Sequence, residues 1–295
     1  MTAVLSTLLD LSVIVFAVAS MLSVGLGQTV RQILSPLRNV GAVIRAVIAN
    51  FVLVPLLALL VLRVIPVEQP LAIGLFLVAA AAGTPFLIKL VEAAGSDVPL
   101  SGSLLVLLLP LTIIYMPIVV PLALPEAQVG PDAIARPLVF TLLVPLAIGL
   151  LVRRQYGRWA HGALPFFQKT STIALVVLIL STILVNLEGI LEIFGTGAIL
   201  AAAIIIGGAF GIGFLLGAPG RAAREVLALG TGQRNIAAAM VVASEAVEIP
   251  GTMSMVVVAS LIGLLILFVL AALLRRRGRK REAPGRQDEE RRKAA

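Results

Sequence analysis

One apolar run after another, each near the length needed to cross a bilayer, is the feature that most narrows what this chain can become. Leu104 to Leu124, Ile199 to Leu216 and Met255 to Leu274 carry no charge at all, and each approaches the roughly 20 residues that a helix needs to span a hydrocarbon core. Leu53 to Leu62 and Ile173 to Val185 are shorter stretches of the same kind. In lipid no water satisfies the backbone, so only helices and closed barrels span it. Leu, Val, Ile and Ala follow one another here without the period-two alternation of barrel strands, so the runs read as helices. With 60% hydrophobic and 13% charged residues and a mean hydropathy of +1.10, the whole chain reads as an all-α polytopic membrane protein.

Pro, Gly and charge clusters divide it into about nine crossing segments, near 5–26, 39–63, 69–94, 98–123, 133–153, 166–187, 191–216, 221–246 and 251–274. Met1 to Val24 has no basic start and carries Asp10, which favours a first membrane helix over a cleaved signal peptide. Asp10 itself reads as a residue near the outer surface. Residues 1–274 form one transmembrane domain with halves near 1–124 and 131–274, and 275–295 is expected to be a disordered basic tail. That tail holds ten of the 23 Lys and Arg residues, which explains the net charge of +8 as a topology anchor and not as a nucleic-acid surface. Arg31, Arg38, Arg45, Arg153, Arg154, Arg158, Lys169, Arg221 and Arg224 fall in connections on the side of the tail. Glu68, Glu126, Asp132, Glu188, Glu192, Glu245 and Glu248 fall on the other, with Arg63 and Arg136. This distribution puts the C-terminus in the cytoplasm and the N-terminus outside, and the Ala- and Arg-rich composition suggests a bacterial inner membrane.

Two segments are interrupted. In "LAIGLFLVAAAAGTPFLIKLVEAAGSD" a helix is expected to end near Gly83 and a new one to begin at Pro85, with Thr84 and Pro85 as cap and first residue. In "LALGTGQRNIAAAMVVAS" the break is expected at Gly230, Thr231 and Gly232. The two Gly-Thr pairs, at 83–84 and 230–231, lie 147 positions apart, about half the chain, and each is followed by a lone cation. Paired interruptions of this kind point to an inverted-repeat transporter with a binding site at the membrane midplane.

Those cations are Lys89 and Arg234. A charge near the bilayer centre is costly, by about 2.5–3.5 kcal/mol on insertion scales, so such residues mark function. Together with the N-termini of two half-helices they would form an anion site. The forked guanidinium suits carboxylate, sulfonate or sulfate, and the lysine is able to change protonation. Gly83, Thr84, Pro85, Ser101, Thr231, Gly232, Gln233 and Asn235 complete the candidate substrate-binding set. Structural pairing is the alternative: Lys89 with Glu92 or Asp97, and Arg234 with Glu225 or with carbonyls of the opposite break. Gln233 and Asn235 are equally suited to satisfying freed backbone groups, and Ser101 and Ser103 to capping a helix.

Other chemistry has no visible machinery. There is no cysteine, hence no disulfide or thiolate site. His161, the one histidine, lies beside Trp159 as an interfacial residue. No zinc, nucleophile-elbow, phosphate-loop or dinucleotide motif is present, and no cofactor or resident metal is called for.

The stretches "AAAAGTPFLIKLVEAAGSDVPLSGSLL" and "LALGTGQRNIAAAMVVAS" resemble the bile acid:sodium symporter family, in its nine-helix form. The resemblance implies two discontinuous crossing helices in an inverted repeat. In that family Gly-Gly-Thr-Ala-Ser-Asn opens the first crossing half-helix, Gly-Asp-Val-Ala-Leu-Ser begins the next helix, and Glu-x-Gly-x-Gln-Asn marks the second crossing. Their counterparts are Gly83 and Thr84, Gly95 to Ser101, and Gly230 to Asn235. The departures fall on sodium ligands. The Ser-Asn pair becomes Phe86 and Leu87, the Glu becomes Gly230, the Gln becomes Arg234 and a downstream Thr becomes about Leu105. Only Ser101 and Asn235 keep a family-like oxygen, so the sodium sites read as lost.

The resulting expectation is a sodium-independent secondary carrier of a small organic anion, facilitated or proton-coupled. The alternatives are the family's sodium-coupled symport, a proton/cation antiporter, for which no acidic residue lies between Leu71 and Ile88 or between Ala228 and Ser244, and a non-transporting sensor.

Overall fold

Eight helices among the described residues are long and apolar enough to cross a membrane. The fold comes from a computed structural model that describes residues 2–29, 39–127, 129–185, 191–247 and 249–294. Arg31, Arg38, Glu188 and Glu248, together with the side chains of Glu126 and of 279–295, lie outside the described residues. The long helices are α1 (Thr2–Gly27), α2 (Val40–Val64), α5 (Val98–Ala123), α6 (Pro131–Gln155), α7 (Gly157–Val185), α8 (Ala198–Leu216) and the last, α11 (Thr252–Ala294). The eighth candidate span, Arg221–Val247, consists of α9 (Arg221–Gly232) and α10 (Ile236–Val242) followed by a wide turn, Ala243–Val247. The expected crossing at 69–94 is made of two short pieces, α3 (Gln69–Ala80) and α4 (Phe86–Ala94).

Two boundaries differ from expectation. Helix α7 begins nine residues before 166, because the segment from Gly157 continues the helical face that Pro165 does not interrupt. Helix α8 begins seven residues after 191, because Gly195 and Gly197 take positive φ just ahead of it.

Prolines shape two spans. A wide turn occupies Ala49–Leu53 just ahead of Pro55, and another occupies Val139–Leu143 ahead of Pro145. Proline has no N–H to donate and its ring presses on the carbonyl four residues back, so widening the turn there relieves the conflict.

The helices sort into two packed groups. Helix α1 lies along α6 and α7, and α2, α3, α4, α5, α8, α9 and α11 pack with one another. Each group draws on both halves of the sequence. Backbones of α1 and α6 approach so closely at Gly25 and Gly149 that a Cβ on Gly149 would lie 2.9 Å from Gly25 Cα, the kind of small-residue crossing that replaces hydrophobic driving force between helices in lipid. Large side chains such as Leu56, Leu60, Ile114, Leu122 and Leu215 remain exposed on the outer surface, where lipid tails cover them.

At one end of the bundle Arg221 donates to Leu274 O, and a Cβ on Gly95 would meet Arg275. Thr252 Oγ1 donates to Pro70 O at the other.

Candidate functional site

The two interruptions meet. Residues 81–85 leave the helix after Ala80, with Gly83 at φ 74, and 233–235 leave it after Gly232. The backbone N–H of Asn235 donates to Ala81 O (2.9 Å), and its side-chain Nδ2 donates to Gly83 O (2.7 Å). Its Oδ1 accepts from Ala238 N and caps α10. One asparagine therefore joins the breaks and starts a half-helix.

Arg234 is buried at this crossing, 4% exposed. Its Nε donates to Val78 O (3.2 Å), Nη2 to Ala79 O, and Nη1 to Thr231 O (3.0 Å) and Asn50 Oδ1 (2.9 Å). Val78 and Ala79 belong to the last turn of α3, and Thr231 belongs to the last turn of α9. The guanidinium thus covers the negative ends of both first half-helices, the place where the dipole favours a cation. Of the alternatives open from sequence, carbonyls of the opposite break are the partners; Glu225 instead accepts from Arg221 Nε at 2.7 Å.

Lys89 is not part of this cluster, which corrects the expectation of two cations in one site. Its side chain is 69% exposed and pairs with Glu92 at 3.5 Å. The reason is the pattern of α4: Leu87, Leu90, Val91 and Ala94 are its buried residues and fix the buried face at helical spacing, which turns Lys89 and Glu92 outward together.

Other candidates fall in different places. The second break lies three residues later than expected, because Gly230, Thr231 and Gly232 close the last turn of α9. Their small size serves packing: a Cβ on Gly230 would lie 2.5 Å from Leu104, and on Gly232 2.7 Å from Leu267. Thr84 is buried but makes no side-chain cap; Pro85 occupies the cap position of α4, and Leu87 N donates to Thr84 O. Gln233 is buried and lines a cavity of about 10 Å³ with Arg234 and Ser260. Ser101 donates to Val98 O and Ser103 to Pro99 O, while Asp97 caps α5 through Leu100 N. Asp10 is exposed on α1.

Sequence reading missed Asn50 and Thr112. Asn50 Nδ2 donates to Thr231 Oγ1 and to Ala46 O, and its Oδ1 accepts from Arg234. Thr112 Oγ1 donates to Ala82 O (2.8 Å) and accepts from Ala82 N (3.0 Å), so a single hydroxyl replaces both helical bonds that the break removes. The signal for both was a lone polar residue inside an apolar span. Thr112→Val, which keeps the shape, is expected to destabilise the protein by about 1–3 kcal/mol by leaving Ala82 N and O unpaired, with Thr112→Ser close to wild type in thermal unfolding of the detergent-solubilised protein.

A second cavity, about 170 Å³, opens between the two helix groups, lined by residues of α1, α5 and α6 including Val24, Val106, Leu109 and Leu146, with Gln28 as its one polar neighbour.

The family model of the sodium bile acid symporter family matches residues 13–193 of the 295. A search of curated proteins finds no match. The matched stretch contains the first break and ends before the second, where Arg234 stands. With well over half of its length matched and apolar spans throughout, the chain belongs to the sodium bile acid symporter family, a family of secondary transporters.

Proposed function

We propose that the protein carries a small organic anion across the membrane without sodium, with Arg234 as a tethered cation that does the electrostatic work of a bound ion. What supports this is the use of the guanidinium: four of its N–H bonds are spent on oxygens at the crossing, three of them carbonyls at helix C-terminal ends. Oxygens so occupied are not free to hold sodium, and a hard cation wants several free oxygens and a negative charge nearby. Neither interrupted segment supplies an acidic residue between Leu71 and Ile88 or between Ala228 and Ser244.

The anion is drawn instead to the positive N-terminal ends of α4 and α10, beside Thr84, Pro85, Gln233 and Asn235, with Ser101 farther along α5. Arg234 adds charge from behind. The paired order of span, broken span, span in Val40–Ala123 and Ala198–Gly278 is consistent with an inverted repeat. Transport then follows from rocking of the α1, α6 and α7 group against the crossing group, across the cavity between them. The membrane is the inner membrane of a bacterium, with the basic end cytoplasmic.

Uptake of a panel of labelled organic acids into proteoliposomes tests the assignment of residues. Arg234→Ala is expected to abolish uptake. Lys89→Ala, which removes one exposed pair, is expected to change stability by under about 0.5 kcal/mol and to keep most of the uptake. Loss of uptake in Lys89→Ala alone would move the anion site to the exposed face of α4.

A further inference from the structure

The elbow between α6 and α7 is a second concentration of charge, away from the crossing. The connection is one residue long, Tyr156. Arg153, Gly157, Arg158 and His161 line an open basin of about 560 Å³ there. Arg153 Nη1 donates to Gly157 O (3.3 Å), which holds its guanidinium over the elbow. Arg158 and His161 are three residues apart and share a helical face. Nothing lies within 4 Å of a Cβ built on Gly157, so the basin is open at that residue.

Among the described residues the arginines of the elbow have no ion-pair partner. No Asp or Glu occurs between Gly149 and Val185, and neither of the two ion pairs among the described residues involves Arg153, Arg154 or Arg158. Tyr156 and Trp159, each 63% exposed, flank the basin, and exposed Tyr and Trp at the ends of spans belong to the headgroup level of a bilayer.

We propose that this elbow binds the phosphate of an anionic phospholipid headgroup. The guanidinium groups match a phosphodiester in charge and in hydrogen-bond geometry. The aromatic flanks and the two membrane helices that form the walls set the site at the depth where lipid phosphates lie. Transport plays no part in the proposal, so it stands or falls separately from the reading of the crossing.

Native mass spectrometry of the detergent-purified protein with phosphatidylglycerol or phosphatidylcholine provides the test. Wild type is expected to retain phosphatidylglycerol over phosphatidylcholine. Arg153→Ala/Arg158→Ala is expected to weaken that retention by about 30-fold, each basic contact being worth roughly a factor of five. Arg45→Ala/Arg224→Ala, which removes the same charge elsewhere on the basic end, is expected to leave it unchanged. If the double variant fails to fold, Arg158→Gln/His161→Ala replaces it. Equal retention of the two lipids, full retention in the elbow variants, equal loss in the charge-matched control, or binding of soluble glycerol phosphate as tight as that of the lipid would each overturn the proposal.

Discussion

Replacing Arg234 with alanine is expected to lower stability by on the order of 3–5 kcal/mol and to abolish uptake. The size follows from the groups left behind. Val78 O, Ala79 O and Thr231 O lose their donor in an interior from which lipid and packed side chains exclude bulk water, and the Asn50 carboxamide loses one of its partners. Each unsatisfied buried group costs about 1–3 kcal/mol, less where a water enters the space. Arg234→Lys supplies one compact charge where a planar fork is needed, so it is expected to recover only part of the loss. Thermal unfolding in detergent measures both variants; a wild-type midpoint for Arg234→Ala would remove the guanidinium from any structural role at the crossing.

Gly83→Ala is expected to be nearly as damaging, although it adds one methyl group. Gly83 has φ 74, where an L-residue is strained by about 1–2 kcal/mol. Its Cβ would lie 2.6 Å from Leu109 N and 2.9 Å from Leu108 C, both backbone atoms of α5 that cannot swing aside. The break must then move, and with it Gly83 O and Ala81 O, the acceptors for Asn235. A loss of about 3 kcal/mol or more is expected, together with loss of uptake. Gly211→Ala is the control: in mid-α8 with nothing within 4 Å of the new Cβ, it is expected to be neutral or to stabilise by up to about 1 kcal/mol. Equal midpoints for the two alanine variants would contradict a tight crossing.

Much of this was legible in the sequence because lipid imposes a simple rule: long apolar runs are helices, and interruptions within them need a reason. The span at Val98–Ala123 and both interrupted segments follow from that rule. The position of the second break was not legible. Glycines in an apolar helix signal either a break or close packing, and here Gly230 and Gly232 serve packing while Gln233 to Asn235 make the turn. The environment of Lys89 was likewise hidden. Position along a span gives depth but not facing, and facing decided that Lys89 pairs with Glu92 outside while Arg234 is buried. Asn50 and Thr112 belong to other helices, 184 and 30 positions from the groups they serve, and no local pattern reports such a distance.

The central claim is that a fixed side-chain cation stands in for a coupled ion at the crossing. Its most direct test is the initial rate of organic-acid uptake by wild-type proteoliposomes with sodium replaced throughout by choline. The tethered guanidinium predicts the same rate in both buffers; uptake that stops when sodium is withdrawn would contradict it.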